Sequence, residues 1–164
     1  MRICIIMVFV LSGCAQVKYT PAQGSNISNL KLVNTISSGA MTNLNVFKGP
    51  VCDQAHFIGN AGEVGHKIDV WRSEQSTKLE SDKVAYLSVG HSKRDMGVNS
   101  YTDSTCYNFF SFTPKSGKNY IVKSISTGLG RCTFELKEEL TSIAPEDLKV
   151  LPSGSECNVN KYNF

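Results

Sequence analysis

The chain has 164 residues and a formal charge of +3, enough length for one domain with a substantial core and no need of a metal to hold it. That charge, with no basic cluster larger than Lys93-Arg94, excludes the usual footprint of a nucleic-acid binder. Glycine, serine, threonine and asparagine are plentiful and alanine is sparse, which favours strands and turns over helices.

In chain order, Arg2 supplies one positive charge and Ile3 to Leu11 form nine consecutive apolar residues. Two small residues and Cys14 follow. A charged start, a short apolar run and a small-residue cleavage site make a secretory signal. Nine residues are far short of the roughly 20 that span a bilayer. The tetrapeptide Leu11-Ser12-Gly13-Cys14 resembles the lipobox of bacterial lipoproteins. The resemblance implies cleavage before Cys14, acylation (palmitate among the acyl chains) of that residue, and a mature chain of charge +2 once Arg2 is removed. Residue 15 is alanine rather than the aspartate that tends to retain Gram-negative lipoproteins in the inner membrane. The expected location is therefore the outer membrane, facing the periplasm.

Residues 1–13 are thus read as signal peptide, 14–28 as a lipidated tether with little apolar periodicity, and 29–164 as the folded body. Alternation predicts strands around Leu30 to Asn34 and Asn43 to Lys48, the second ended by Gly49-Pro50. Asp53 to Gly65 carries three glycines and reads as a loop. Ile68 to Trp71 reads as a short strand, and Arg72 to Lys83 as a polar loop or one helical turn. Val84 to Val89 is apolar enough for a buried strand. Gly90 to Thr105 is polar and is the longest candidate for a mobile surface loop.

Cys106 to Thr113, Asn119 to Ser126 and Arg131 to Lys137 are rich in aromatic and β-branched residues and are separated by turn residues. They predict a three-strand meander with an apolar face. Phe109 and Phe110 fall on opposite faces by alternation, so one is exposed or lies under a second layer. Leu140 to Leu151 allows at most one short helix, with Pro145 at its start. Strands about every ten residues, divided by Gly, Pro and Asn, give the fold class: all-β, a small antiparallel β-sandwich. The pattern Phe112-Thr113-Pro114, Gly117 and Tyr120, flanked by Cys106 and Cys132, resembles one found in small bacterial lipoproteins of unknown function. It implies a sandwich on a lipid anchor and no particular activity.

Six cysteines are present. Cys4 leaves with the signal and Cys14 carries lipid. Cys52, Cys106, Cys132 and Cys157 remain, an even number that reads as two disulfides with three possible connectivities. A four-thiolate zinc site is disfavoured because no closely spaced Cys pair exists. In a flat meander Cys106 and Cys132 lie two strands, or about 10 Å, apart, and a bridge needs Cα atoms within about 7 Å. The favoured pairing, Cys106–Cys132 with Cys52–Cys157, therefore requires the sheet to curl.

No catalytic constellation emerges. His56, His66 and His91 lack metal spacing. Gly90-His91-Ser92 begins like a nucleophile elbow but lacks its last glycine. Glu135, Glu138, Glu139, Glu146 and Asp147 cluster in sequence, as paired acid–base carboxylates do, but read as a solvated face. No phosphate-binding loop occurs. The expectation is a non-enzymatic, lipid-anchored envelope protein without cofactor or metal. Its partners would be the membrane, through the lipid, and another envelope protein. The alternative is an inhibitor or immunity-type protein against a cell-wall hydrolase, for which an overall positive charge lacks complementarity to a cationic lysozyme.

Overall fold

The computed structural model describes residues 17–35, 40–67, 70–96, 101–128 and 131–153. Among them lie ten strands and no helix: β1 (Ile27–Val33), β2 (Ala40–Phe47), β3 (Phe57–Lys67), β4 (Val70–Arg72), β5 (Glu74–Glu80), β6 (Ala85–Met96), β7 (Tyr101–Phe112), β8 (Asn119–Gly128), β9 (Arg131–Glu138) and β10 (Lys149–Leu151). They form two sheets, a four-stranded one in the order β5-β1-β8-β9 and a six-stranded one in the order β10-β7-β6-β2-β3-β4. The expected all-β sandwich is the fold. It is not wholly antiparallel, because β1 and β8 run parallel from Asn29↔Asn119 to Val33↔Lys123.

The core lies between the sheets. Leu30 and Leu32 of β1, Val122 of β8 and Leu136 of β9 face Leu44 of β2, Leu87 and Val89 of β6, and Phe110 and Phe112 of β7. Rings cross the gap: Phe110 stacks on Phe134 with centroids 4.5 Å apart, and Phe112 meets Tyr120 edge-on at 5.1 Å. Such contacts add to the burial of large apolar area.

The predicted meander is not present. β7 pairs with β6 and β10, and β8 pairs with β1 and β9. Residues 113–118 carry the chain from one sheet to the other. The turn closes locally, with Lys118 N–H donating to Lys115 O and Gly117 at φ 71°. It is fastened elsewhere: Gly117 N–H donates to Ile27 O, and Asp82 N–H donates to Pro114 O. Phe110, Phe112 and Tyr120 all want the same interior, and a crossover buries them where a hairpin would leave one face of its ribbon wet.

Three polar stretches expected as loops are strands. β3 carries glycines because other backbone approaches it. A Cβ on Gly59 would lie 2.4 Å from Tyr19 N, and one on Gly65, at φ 120°, would lie 2.3 Å from Ala40 O. Glycine inside a strand often marks such an approach or a bulge, and the β2–β3 register shifts twice. β5 is an edge strand in which only Thr77 and Leu79 are buried, so its sequence is mostly polar. Residues 90–105 are largely the far halves of β6 and β7, paired without interruption from Ala85↔Phe112 to Met96↔Tyr101. The short strand expected at 68–71 is β4, with residues 68 and 69 outside the described residues. The helix expected near Pro145 is a single turn, Leu148 N–H to Pro145 O, and one turn does not repay helix nucleation.

Phe109 and Phe110 are both fully buried. Phe109 faces away from the main core into a second cluster with Phe47 and Cys52. Its ring meets Phe47 edge-on at 5.3 Å, and Phe47 contacts Phe57. Cys52 in the β2–β3 connection and Leu151 of β10 complete this outer layer, with the Cys52 sulfur 4.0 Å from Pro152 O.

The disulfide Cys106–Cys132 is present with a Cα separation of 5.9 Å. It joins β7 to β9 across the two sheets, not across a curled meander. Ser126 lies opposite Cys132, one position from the expected Ile125, and His91 lies opposite Cys106. Cys52 is also disulfide-bonded. Cys157 lies outside the described residues, and so does the expected Cys52–Cys157 bond.

Two measurements check these assignments. Phe110→Ala should cost about 3–5 kcal/mol in urea unfolding, whereas Leu140→Ala, at a position 85% exposed, should stay within about 0.5 kcal/mol. Comparable losses would overturn the placement of the core. Replacing Cys106 and Cys132 together by serine opens a loop of sequence separation 26, worth about 3.5 kcal/mol in the chain-entropy description. An unchanged denaturation midpoint would remove the staple role.

Candidate functional site

Three places gather polar or reactive side chains. The first is inside the sandwich, beside the disulfide. His91 follows Leu87 and Val89 on the inner face of β6 and is buried. Its neighbours in the sheet are Thr42 on β2 and Cys106 on β7. Across the gap, Ser124 Oγ of β8 is 3.4 Å from His91 Nδ1. Ser124 and Thr42 are fully buried, and Thr42 Oγ1 has no hydrogen-bond partner. Burial lowers the His91 pKa from its ordinary 6.5, so the ring is neutral at physiological pH. A serine next to a neutral histidine has the composition of a nucleophile and its base. It lacks access, because the site is enclosed between the sheets, and it has no carboxylate orienter among the described contacts. The arrangement acts as a polar plug in an otherwise apolar interior.

The second place is an open groove of about 430 Å³ between the 113–118 crossover and the 139–148 connection, lined by Thr113, Lys115, Tyr120, Glu138, Ile143 and Asp147. The 139–148 segment is held by its backbone. Glu138 N–H donates to Ile143 O, Ser142 N–H donates to Glu138 O, and Glu139 N–H donates to Asn119 O. Asp147 Oδ2 accepts the Thr113 N–H at 2.8 Å. This projection presents Leu140 and Ile143 to solvent, 85% and 66% exposed, and Ile143 lines the groove with Glu146 and Asp147.

Of the carboxylates singled out in the sequence, Glu138, Glu146 and Asp147 line this groove, and Glu135 and Glu139 do not. Glu135 pairs with Lys137 at 2.7 Å, Glu138 with Lys118 at 2.7 Å and Glu139 with Lys31 at 2.8 Å. The Lys137 ammonium lowers the Glu135 pKa, and the Glu139 and Glu138 carboxylates raise those of Lys31 and Lys118. No two of these acids form a shared proton-transfer pair in the described contacts.

The third place was missed in the sequence. Residues 17–22, expected as free tether, strap the side of the sandwich. Tyr19 N–H donates to Asn60 O at 2.8 Å, and Asn60 N–H donates to Val17 O at 2.9 Å. This adds Lys18 to the edge of β3 as a parallel bridge. Further along, the Tyr19 hydroxyl and the Ala22 N–H both donate to Lys78 O of β5. Tyr19 packs against the core; burial, and then Glu80, raise its pKa. The strap thus joins β3 of one sheet to β5 of the other. The signal available in the sequence was an aromatic residue inside a supposed spacer.

The remaining sequence candidates stay apart. Ser92 lies within β6 opposite Thr105, without the strand-turn-helix that exposes a nucleophile. His56 is on the β2–β3 connection, where Asp53 Oδ1 accepts its N–H at 2.9 Å and contacts its Nδ1 at 2.7 Å. His66 is on β3 opposite Trp71. Among the described residues, no three His, Cys, Asp or Glu side chains are grouped as metal ligands are. Cys14 lies outside the described residues. No protein-family model matches the chain, and neither does any curated protein.

The buried histidine makes stability depend on pH. The unfolded ring takes up a proton as pH falls through 6.5, while the folded ring resists protonation until lower pH. His91 therefore has no effect above that window and destabilises the fold as pH falls within it, by up to about 1.4 kcal/mol per pH unit. His91→Gln should lose less thermal stability than wild type between pH of about 7 and about 5. Identical losses in the two proteins would rule the effect out.

Proposed function

We propose that this protein is a lipid-anchored component of a bacterial envelope that acts by binding rather than by catalysis. The observation that carries the reading is Leu11-Ser12-Gly13-Cys14, whose leucine ends the nine-residue apolar run that follows a single Arg2. Acylated Cys14 would be the membrane attachment, and Ala15 favours the outer membrane. The body is consistent with export, since a disulfide between Cys106 and Cys132 suits an oxidising compartment. The enclosed Ser124–His91 pair and the carboxylates engaged by lysines favour a binding role over a hydrolytic one. The partner is proposed to be another envelope protein.

A second reading, inhibition of a cell-wall hydrolase, gains from the 139–148 projection. Overall charge is unfavourable for meeting a cationic lysozyme, but the exposed Ile143 lines the groove together with Glu146 and Asp147. A locally acidic rim around apolar anchors complements a basic enzyme surface. Titration of the mature domain into a muramidase assay separates the readings, since only an inhibitor slows lysis stoichiometrically.

The anchor has a direct test. Metabolic labelling with a palmitate analogue should mark the wild type and spare Cys14→Ser, which should also leave the membrane fraction. Label persisting in the variant would overturn the proposal.

A further inference from the structure

The strap fixes how far the folded body can stand from an anchor at Cys14. Three residue steps separate Cys14 from Val17, so their Cα atoms are at most about 11 Å apart. A headgroup layer is itself about 5–8 Å deep. From Val17 onward the chain is hydrogen-bonded to β3 and then to β5, so it has no slack to pay out. We infer that the strapped side of the sandwich lies against the anionic headgroups of the membrane that holds the Cys14 lipid.

This inference rests on the lipidation proposed above, and the surface at the strap fits the role. Val17 is an exposed apolar residue at the point where the chain reaches the body, 54% accessible. Lys18 and Arg72 line one shallow depression beside Tyr19, and Lys78 lines the next, with Pro21 and Ala22. The acids on this side are Glu63, in the first depression, Glu74, on the exposed face of β5 that carries Lys78, and Glu80, which is paired with Lys83 at 2.6 Å. The balance is basic. Basic residues held within a Debye length of an anionic surface are each attracted to it. In the orientation that follows, β9 and β10, at the far edges of the two sheets, point away from the membrane. So does the 139–148 projection, which leaves it open to a partner.

The test uses the full chain, processed and purified with its anchor and reconstituted into vesicles of phosphatidylethanolamine with phosphatidylglycerol. Lysines are acetylated with a water-soluble reagent and read by peptide mass. Rates are normalised to those of the soluble Cys14→Ser protein. Lys18 and Lys78 should be slowed at least about five-fold, the factor that one basic residue gains near an anionic surface, while Lys137 and Lys149 keep their solution rates. Vesicles of phosphatidylcholine alone, or a Gly/Ser spacer inserted between Cys14 and Val17, should weaken the protection, and the two changes together should abolish it. Equal rates at all four lysines in a protein whose intact mass shows the lipid overturn the orientation alone. An intact mass without lipid on Cys14 overturns the anchor and the orientation together. Protection of Lys137 and Lys149 in place of Lys18 and Lys78 puts the opposite side on the membrane and overturns the inference equally.

Discussion

Strand β7 buries side chains on both of its faces, and the rest of the molecule is arranged to cover them. Phe110 and Phe112 point into the gap between the sheets and Phe109 points the other way; all three are essentially inaccessible. A strand in a two-layer sandwich ordinarily needs only one dry face. Here the inner face is covered by β8 and β9, and the outer face by the connection around Cys52, with Leu151 of the neighbouring strand β10 packed beside Phe109. Both coverings involve disulfide-bonded cysteines, Cys132 opposite the inner face and Cys52 over the outer one. The Cys106–Cys132 cross-link is thus placed where the two sheets meet, at a boundary that a domain of this size has little apolar area to hold.

The polar interior of the sandwich follows from the same geometry. The far end of the core is filled by Thr42, His91 and Ser124 rather than by leucine. The disulfide brings the backbones of β7 and β9 within 5.9 Å there, closer than the roughly 10 Å at which sheets stack over large side chains. Small polar groups fit that narrowing gap, and their hydrogen bonds cross it: His91 to Ser124, and Asn108 Nδ2 to the Cys132 sulfur at 3.2 Å. The apolar end is held by ring contacts and the narrow end by a covalent bond and hydrogen bonds.

How much of this could be read in the sequence differs from element to element. The fold class was legible, because alternation in β1, β8 and the first half of β9 survives in the observed burial, whereas β2 is buried on both faces; the Cys106–Cys132 pairing was legible too. The sheet membership of β7 was not. A short Pro/Gly connection between two aromatic runs has the same composition whether it closes a hairpin or crosses between sheets, and only the distant partners of Ile27 and Asp82 decide. β3 and β5 were misread because glycines and polar residues at an edge report close backbone approach and one-sided burial, not looseness. Of the candidate sites, Cys14 rests on its motif alone and lies outside the described residues, whereas the strap and the 139–148 projection depend on long-range hydrogen bonds whose local mark is at most one aromatic residue, Tyr19, in a supposed spacer. The outer layer over Phe109 was half legible: alternation called for a cover without naming it.

The parallel pairing of β1 with β8 has a kinetic side. Asn29 and Asn119, whose side chains share a hydrogen bond, are 90 residues apart. The four-stranded sheet thus joins β1 and β5 to the later β8 and β9, and its closure must wait for the entropy of a long loop to be spent. Contacts of such high sequence separation place the domain among slow folders, in the millisecond-to-second class or beyond. Until Asn119 is available, β1 has only β5 beside it, a two-stranded ribbon that is marginal alone in water. A nascent chain of this protein therefore carries an unfinished edge on β1 for most of its length, and its vulnerable interval is set by topology rather than by final stability.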